Sequence, residues 1–186
     1  MTQVKGIVFR SFLATFRRLQ GDEACTQMLE RLPAELGESL RMGAIVTGAW
    51  YPVDWLGQLQ LAARIQCNAG VELTRAIARE AIKDDFRSGV HRLVSIAVSP
   101  EWLIKSAPRL VGYYFDSGRL VVEEAVVGRA MGRYEGFSGF THDLWEQTLG
   151  GSMGVMELAG AKGLTSKTLA GGNDGDGHMT FTLRWT

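Results

Sequence analysis

The apolar positions of the first two-thirds of the chain recur at helical spacing. Phe9, Phe12, Leu13, Phe16 and Leu19 form the first such run, and "LQGDE" ends it at Gly21. Asp22 is placed to cap a second helix, "EACTQMLERL", which stops at Pro33. A short polar helix, "AELGESLRMG", follows. In "GAWYPVDW", Pro52 suits the first turn of a further helix, "VDWLGQLQLAARIQ", because its missing N–H has no intrahelical partner there. That helix ends near Asn68 and Gly70. The strongest helical pattern lies between Val71 and Val98. Leu73, Ile77, Ala81, Ile82, Phe86, Val90, Leu93 and Ala97 make one stripe, Arg75, Arg79, Lys83, Asp84 and Arg87 take the other side, and Gly89 marks a bend. "SPEW" then starts a new turn, with Ser99 as N-cap, Pro100 in the first helical position and Glu101 in the first turn.

After Pro108 the period changes from about 3.6 residues to about 2. "RLVGYYFD" and "RLVVEEAVV" flank Ser117-Gly118 and read as a hairpin. In "RAMGRYEGF", Arg129, Arg133 and Glu135 alternate with Ala130, Gly132 and Tyr134, so one face is wet. A helix returns from about Thr141 to Leu158. "LTSKTLAGG" and "HMTFTLRW" are two more strands around a Gly/Asp-rich turn. In the last of these Met179, Phe181, Leu183 and Trp185 alternate with His178, Thr180, Thr182 and Arg184. The expected architecture is α+β: a helical N-terminal half packed on an antiparallel sheet, with a β-β-β-α-β-β C-terminal half. A single domain over 1–186 is expected, mainly helical over 1–107, with the sheet and one helix over 108–186.

Composition narrows the function more than the fold. The chain is 46% hydrophobic and 22% charged, as expected of a globular protein with a substantial core. Twenty basic and twenty acidic residues cancel, which argues against a dedicated nucleic-acid binder. Cys25 and Cys67 are far apart and match no metal or redox spacing, so they read as free thiols in helices. Arg10, Arg17 and Arg18 interrupt the apolar residues near the start, leaving no run fit for a signal peptide or a membrane span. The chain reads as soluble and cytoplasmic.

Signals for catalysis are weak. His91 sits beside the long stripe, as a haem or metal ligand or as an ordinary helix-edge histidine. His142 lies at a helix start and His178 faces outward, so no two histidines are spaced to share a metal. No "GxSxG" elbow exists, and "GGSMG" lies inside a helical pattern. Neither catalytic nor metal-ligating residues are assigned, and no cofactor. "KDDF" places Asp84 on the solvent side and Asp85 near the stripe edge, as a plain helix-surface carboxylate or one that orients an arginine such as Arg79 or a partner elsewhere. Asn173, Asp174 and Asp176 in "AGGNDGDGH" offer oxygen ligands to calcium, or the residues that a tight turn requires. Gly150, Gly151 and Gly154 in a helix imply close backbone approach, to the sheet, to a ligand or to a second subunit.

Aromatics are the richest resource, and their order carries a resemblance. "KGIVFRS", "WYPVDW", "DDFR", "SPEWL", "APRL…YYFDSGRL", "GFSGF…LWEQTLGG" and "ELAGAK…LAGGNDGD…RW" together resemble a myxobacterial paralogous family of roughly 200-residue proteins of unknown function. The element order is also similar to the ligand-binding superfamily of nitric-oxide signalling and Golgi transport. That group includes 4-vinyl reductase domains, haem nitric-oxide-binding domains and TRAPP-complex subunits. The resemblance implies a hydrophobic cavity between helices and sheet, and frequent dimers. The chain departs from the zinc-binding members, whose cysteines lie in the C-terminal region. It also departs from the Tyr-x-Ser-x-Arg motif of the haem domains, since Tyr114, Ser117 and Arg119 are spaced differently.

The leading expectation is a non-enzymatic binding or sensor module holding a small apolar molecule at the helix–sheet seam, lined by Trp50, Trp55, Phe86, Trp102, Tyr114, Phe137 and Trp145. A homodimer or a regulatory protein partner is expected to receive the signal. The alternatives are a TRAPP-like adaptor without ligand and a haem-binding gas sensor acting through His91.

Overall fold

A computed structural model describes residues 1–88 and 99–186. The elements run β1 (Gln3–Lys5), α1 (Gly6–Gln20), α2 (Asp22–Glu30), α3 (Ala34–Arg41), β2 (Trp50–Pro52), α4 (Val53–Cys67) and α5 (Glu72–Ser88). They continue with α6 (Pro100–Tyr114), β3 (Arg119–Val126), β4 (Arg129–Glu135), α7 (His142–Leu158), β5 (Thr165–Gly171) and β6 (His178–Arg184). His91, Gly89 and the end of the long apolar stripe lie outside the described residues.

The fold is α+β, with an antiparallel sheet of order β3-β4-β6-β5. The period-2 reading of the last strands holds. Ala130, Tyr134, Met179, Phe181 and Leu183 point into the core. The opposite face carries Arg119 paired with Glu135 at 2.6 Å and Arg129 paired with Glu124 at 3.0 Å. The sheet therefore has one wet face and one buried face, and α7 fills the buried one. Tyr134 of β4 donates to the Thr148 carbonyl at 3.3 Å and shares a 2.6 Å bond with Ser152, which ties the sheet to α7. On its other side α7 packs against α5. Placed between two layers, α7 buries residues around nearly its whole circumference.

One expected strand is a helix. "RLVGYYFD" does not pair with β3, because α6 runs straight through Pro108 to Tyr114. Pro108 removes one backbone hydrogen bond, but the stripe Leu103, Ile104, Ala107 and Val111 keeps its helical period across it. Burial of that stripe outweighs the loss. Ser117-Gly118 accordingly joins a helix to β3, and the sheet half reads β-β-α-β-β. Smaller shifts occur at two caps. Gly21, not Asp22, is the N-cap of α2, and Pro52 is the N-cap of α4, one residue before its first turn. Ser99 caps α6 as expected, accepting from the Trp102 N–H at 3.3 Å.

A second, two-stranded sheet is not legible in the hydrophobic pattern. Val4 of β1 opposes Tyr51 of β2 and bridges Phe115, and it is fully buried. Thr2 beside it accepts from the Ser138 N–H and the Ser117 hydroxyl, each at 2.9 Å. The N-terminal segment thus staples the two loops that flank the sheet. No helix among the described residues is long and apolar enough to cross a membrane.

Candidate functional site

A cavity of about 120 Å³ opens between α1, α5, α6 and α7. It exists because these helices turn small side chains toward one another: Ala78 and Ala81 from α5, Ala107 from α6, and Gly151 and Ser152 from α7. Val8 and Phe12 of α1, with Ile104 and Val111 of α6, complete apolar walls. Tyr134 is the one sheet residue among the described lining. The space is therefore bounded chiefly by helices, and the expected helix–sheet seam is displaced one layer away from the sheet.

Of the seven aromatics singled out in the sequence, Tyr114 alone lines the cavity. Phe137 and Trp145 lie together in the core beneath it, with ring centroids 5.6 Å apart. Phe86 is buried against Leu103 and Val155. Trp50 is 40% exposed beside the Lys5 ammonium, and Trp102 is 52% exposed. Trp55 stacks on Tyr51, whose hydroxyl accepts from the Val46 N–H at 2.9 Å. In "GAWYPVDW" the anchor is thus Tyr51. The structure assembles no shared pocket from the seven. The wall instead joins small and aliphatic side chains to the rings of Phe12, Tyr114, Phe115 and Tyr134, and the readable signal is the conjunction of Ala, Gly and Ser on facing helical positions.

Polar groups in the wall are few, and most are satisfied locally. Gln147 accepts from Gln60, and Thr148 donates to the Trp145 carbonyl at 2.7 Å. Asp85 accepts from Ser11 at 2.6 Å, whereas Arg79 is taken by Glu157 at 2.9 Å, so Asp85 does not orient that arginine. Tyr114 differs: its hydroxyl is buried and has no hydrogen-bond partner among the described residues. Burial, then the negative charge of Asp85, pushes its pKa well above the ordinary phenolic value. Tyr134 is pushed up to about 12 by burial, partly offset by its bond from Ser152. Both shifts favour the neutral phenol in the folded state. Each contributes stability that is complete below the unfolded value near 10 and lost as pH rises toward the folded one. Alkaline titration followed at 295 nm is therefore expected to show these two tyrosines ionising only as helical circular dichroism is lost, at about pH 11–12. Full tyrosinate absorbance by pH 10.5 with the fold intact would contradict this.

The Gly/Asp-rich loop is a turn docked on α7. Asp174 accepts from the His142 N–H at 2.7 Å at the helix start, and Asp176 accepts from the Asn173 N–H at 2.9 Å. Those bonds, to Asn173 first, hold the Asp176 carboxyl below its usual range. Among the described residues no His, Cys, Asp and Glu cluster is arranged to hold a metal. Gly150 and Gly154 meet the Arg75 and Arg79 carbonyls of α5, so their close approach is made within the chain. Gly151 faces open space in the cavity wall.

No known protein family and no curated protein matches the sequence. The fold, by contrast, matches solved structures along its whole length. An Fe(II) unliganded H-NOX protein from K. algicida superposes with a TM-score of 0.73 at 15% identity, covering 98% of this chain and 96% of that one. A Cs H-NOX mutant carrying 4-cyano-L-phenylalanine at site 5 gives 0.70 at 13% identity, covering 98% and 96%. An oxygen-binding H-NOX domain related to soluble guanylate cyclases gives 0.64 at 13% identity, covering 98% and 95%. At such identities the likeness shows the fold alone: this chain has the helix-on-sheet architecture of H-NOX domains.

Proposed function

We propose that this chain is a non-enzymatic binding module whose interhelical cavity takes up a small apolar molecule and reports its presence to a regulatory partner. The carrying observation is the cavity itself, walled mainly by aliphatic, small and aromatic side chains. Its volume is close to that of the ~150 Å³ apolar cavity known to hold benzene, so a ligand of about six to ten non-hydrogen atoms suits it. The fold supports a sensing role, since a solved neighbour of the same architecture binds oxygen. Working as a single cytoplasmic domain, signalling through a second copy or a regulatory protein, and membership of the myxobacterial family belong to the same proposal.

Haem fits the described lining poorly. His91 lies outside the described residues, and none of the described wall residues is Lys, Arg or His. The cavity of about 120 Å³, near the size that holds one benzene ring, is too small for a porphyrin of four pyrrole rings.

Thermal unfolding with small aromatics tests the reading. Toluene at about one hundred times its dissociation constant is expected to raise Tm by about 5–10 °C. Gly151→Leu, which fills the cavity, should fold and abolish the shift. Absence of any shift with toluene, benzene or indole, or an undiminished shift in the filled variant, would overturn the proposal. Added hemin is expected to give no stoichiometric Soret band.

A further inference from the structure

Glycine inside a helix is unfavourable relative to alanine, so each glycine of α7 calls for a reason. Gly150 and Gly154 have one, since a Cβ at either would strike the backbone of α5. Gly151 has no reason of that kind. A Cβ there would meet nothing within 4 Å, and its φ is not positive, so neither packing nor backbone conformation requires glycine. Its place in the wall supplies the reason. Gln147, Thr148 and Val155, its neighbours at helical spacing, all line the cavity with it. Gly151 is therefore the centre of the face that α7 turns to the cavity, and the volume its side chain would take belongs to the cavity. Polar groups beside it are engaged within the chain: Ser152 with Tyr134, Thr148 with the Trp145 carbonyl, and the Gln147 side-chain oxygen with Gln60.

We propose that Gly151 is the specificity-determining residue of the cavity. The ligand seats against its bare backbone, in the place of the absent side chain, and this position sets the largest molecule admitted. The class of ligand that follows is small hydrocarbons, arenes with short alkyl chains among them, sorted by size rather than by a polar group. This inference rests on the cavity being a ligand site, and it names the residue and the property by which that site selects.

The test uses the whole protein and a series that grows by one carbon at a time: benzene, toluene, ethylbenzene and propylbenzene, each measured by calorimetry. In the wild type, affinity should rise about fourfold per added CH2 until the cavity is full. Gly151→Ala should lower that limit by about one carbon. Benzene should hold within about twofold, while the largest member that the wild type binds should weaken about tenfold, because the added methyl overpacks the site. Gly112→Ala is the matched control. Gly112 is an exposed glycine of α6 outside the cavity wall, with the same room for a methyl, so the change should leave the whole series unaltered. Circular dichroism checks the fold of each variant. An equal loss for every ligand in Gly151→Ala, no loss for the largest, or the same change in Gly112→Ala overturns this inference and leaves the cavity reading standing. A Gly151→Ala protein that does not fold overturns it as well, because the room at that position would then be absent. If the wild type binds none of the four, the cavity reading falls and this inference falls with it.

Discussion

Trp145→Ala is expected to destabilise the protein by about 3–5 kcal/mol, the range for deleting a fully buried large aromatic. Trp145 has no exposed surface. Its ring lies 4.6 Å from Phe140 and 5.6 Å from Phe137, measured between centroids, and those two rings both contact Phe115. The indole N–H donates to the Asn173 carbonyl at 3.2 Å, which ties the β5–β6 turn to α7. The substitution therefore opens a large hole under the cavity and frees the turn at once. Trp50→Ala, removing a 40% exposed ring, should cost well under 1 kcal/mol. Urea denaturation of the two variants measures the contrast. Similar midpoints would refute the placement of the core.

That contrast shows where the sequence can and cannot be read. Period, caps and turns are local, so the order of the last strands, the Ser99 cap and most helices are legible in short stretches of sequence. The "RLVGYYFD" segment reads wrongly as a strand because Pro108 and two tyrosines look like the end of a helix and the start of a strand. Only its position against α1 and α7 shows that burial of Ile104, Ala107 and Val111 continues the helix through the proline. The β1–β2 pair is three residues on each side, too short for any periodicity. For the site, aromatic content points to a pocket, and of the seven aromatics only Tyr114 lines the cavity between the helices. Large rings fill space, and a cavity forms where residues fail to fill it. Tyr114 is legible as an aromatic near a junction. Its missing hydrogen bond is a property of all the neighbours together, and no single stretch of sequence carries that information.

Three glycines of α7 give the sharpest separation of packing from cavity. Each costs up to about 1 kcal/mol of helix propensity relative to alanine, so propensity alone favours Gly→Ala at all three. Position decides otherwise. A Cβ at Gly150 would collide with the Arg75 carbonyl, and one at Gly154 with the Arg79 carbonyl and the Ile82 side chain. These obstacles include the backbone of α5, which cannot yield without moving the helix. Moving it would also pull on the ion pairs that join the two helices: Arg75 with Glu146, Arg79 with Glu157, and Lys83 with Glu157 at 2.5 Å. Overpacking costs about 1–3 kcal/mol where side chains can adjust and more where backbone stands in the way. Gly154→Ala is therefore expected to lose at least about 3 kcal/mol, a fall in Tm of roughly 6–12 °C for a chain of this size. Gly150→Ala should behave alike. Gly151→Ala meets nothing within 4 Å and should gain about 0.5–1 kcal/mol, because its methyl enters the cavity and its backbone loses unfolded-state freedom. The sign therefore reverses within one residue of sequence, which helix propensity cannot produce. A uniform response of the three variants in chemical denaturation would mean that α5 and α7 do not approach this closely, and that Gly151 does not face the cavity.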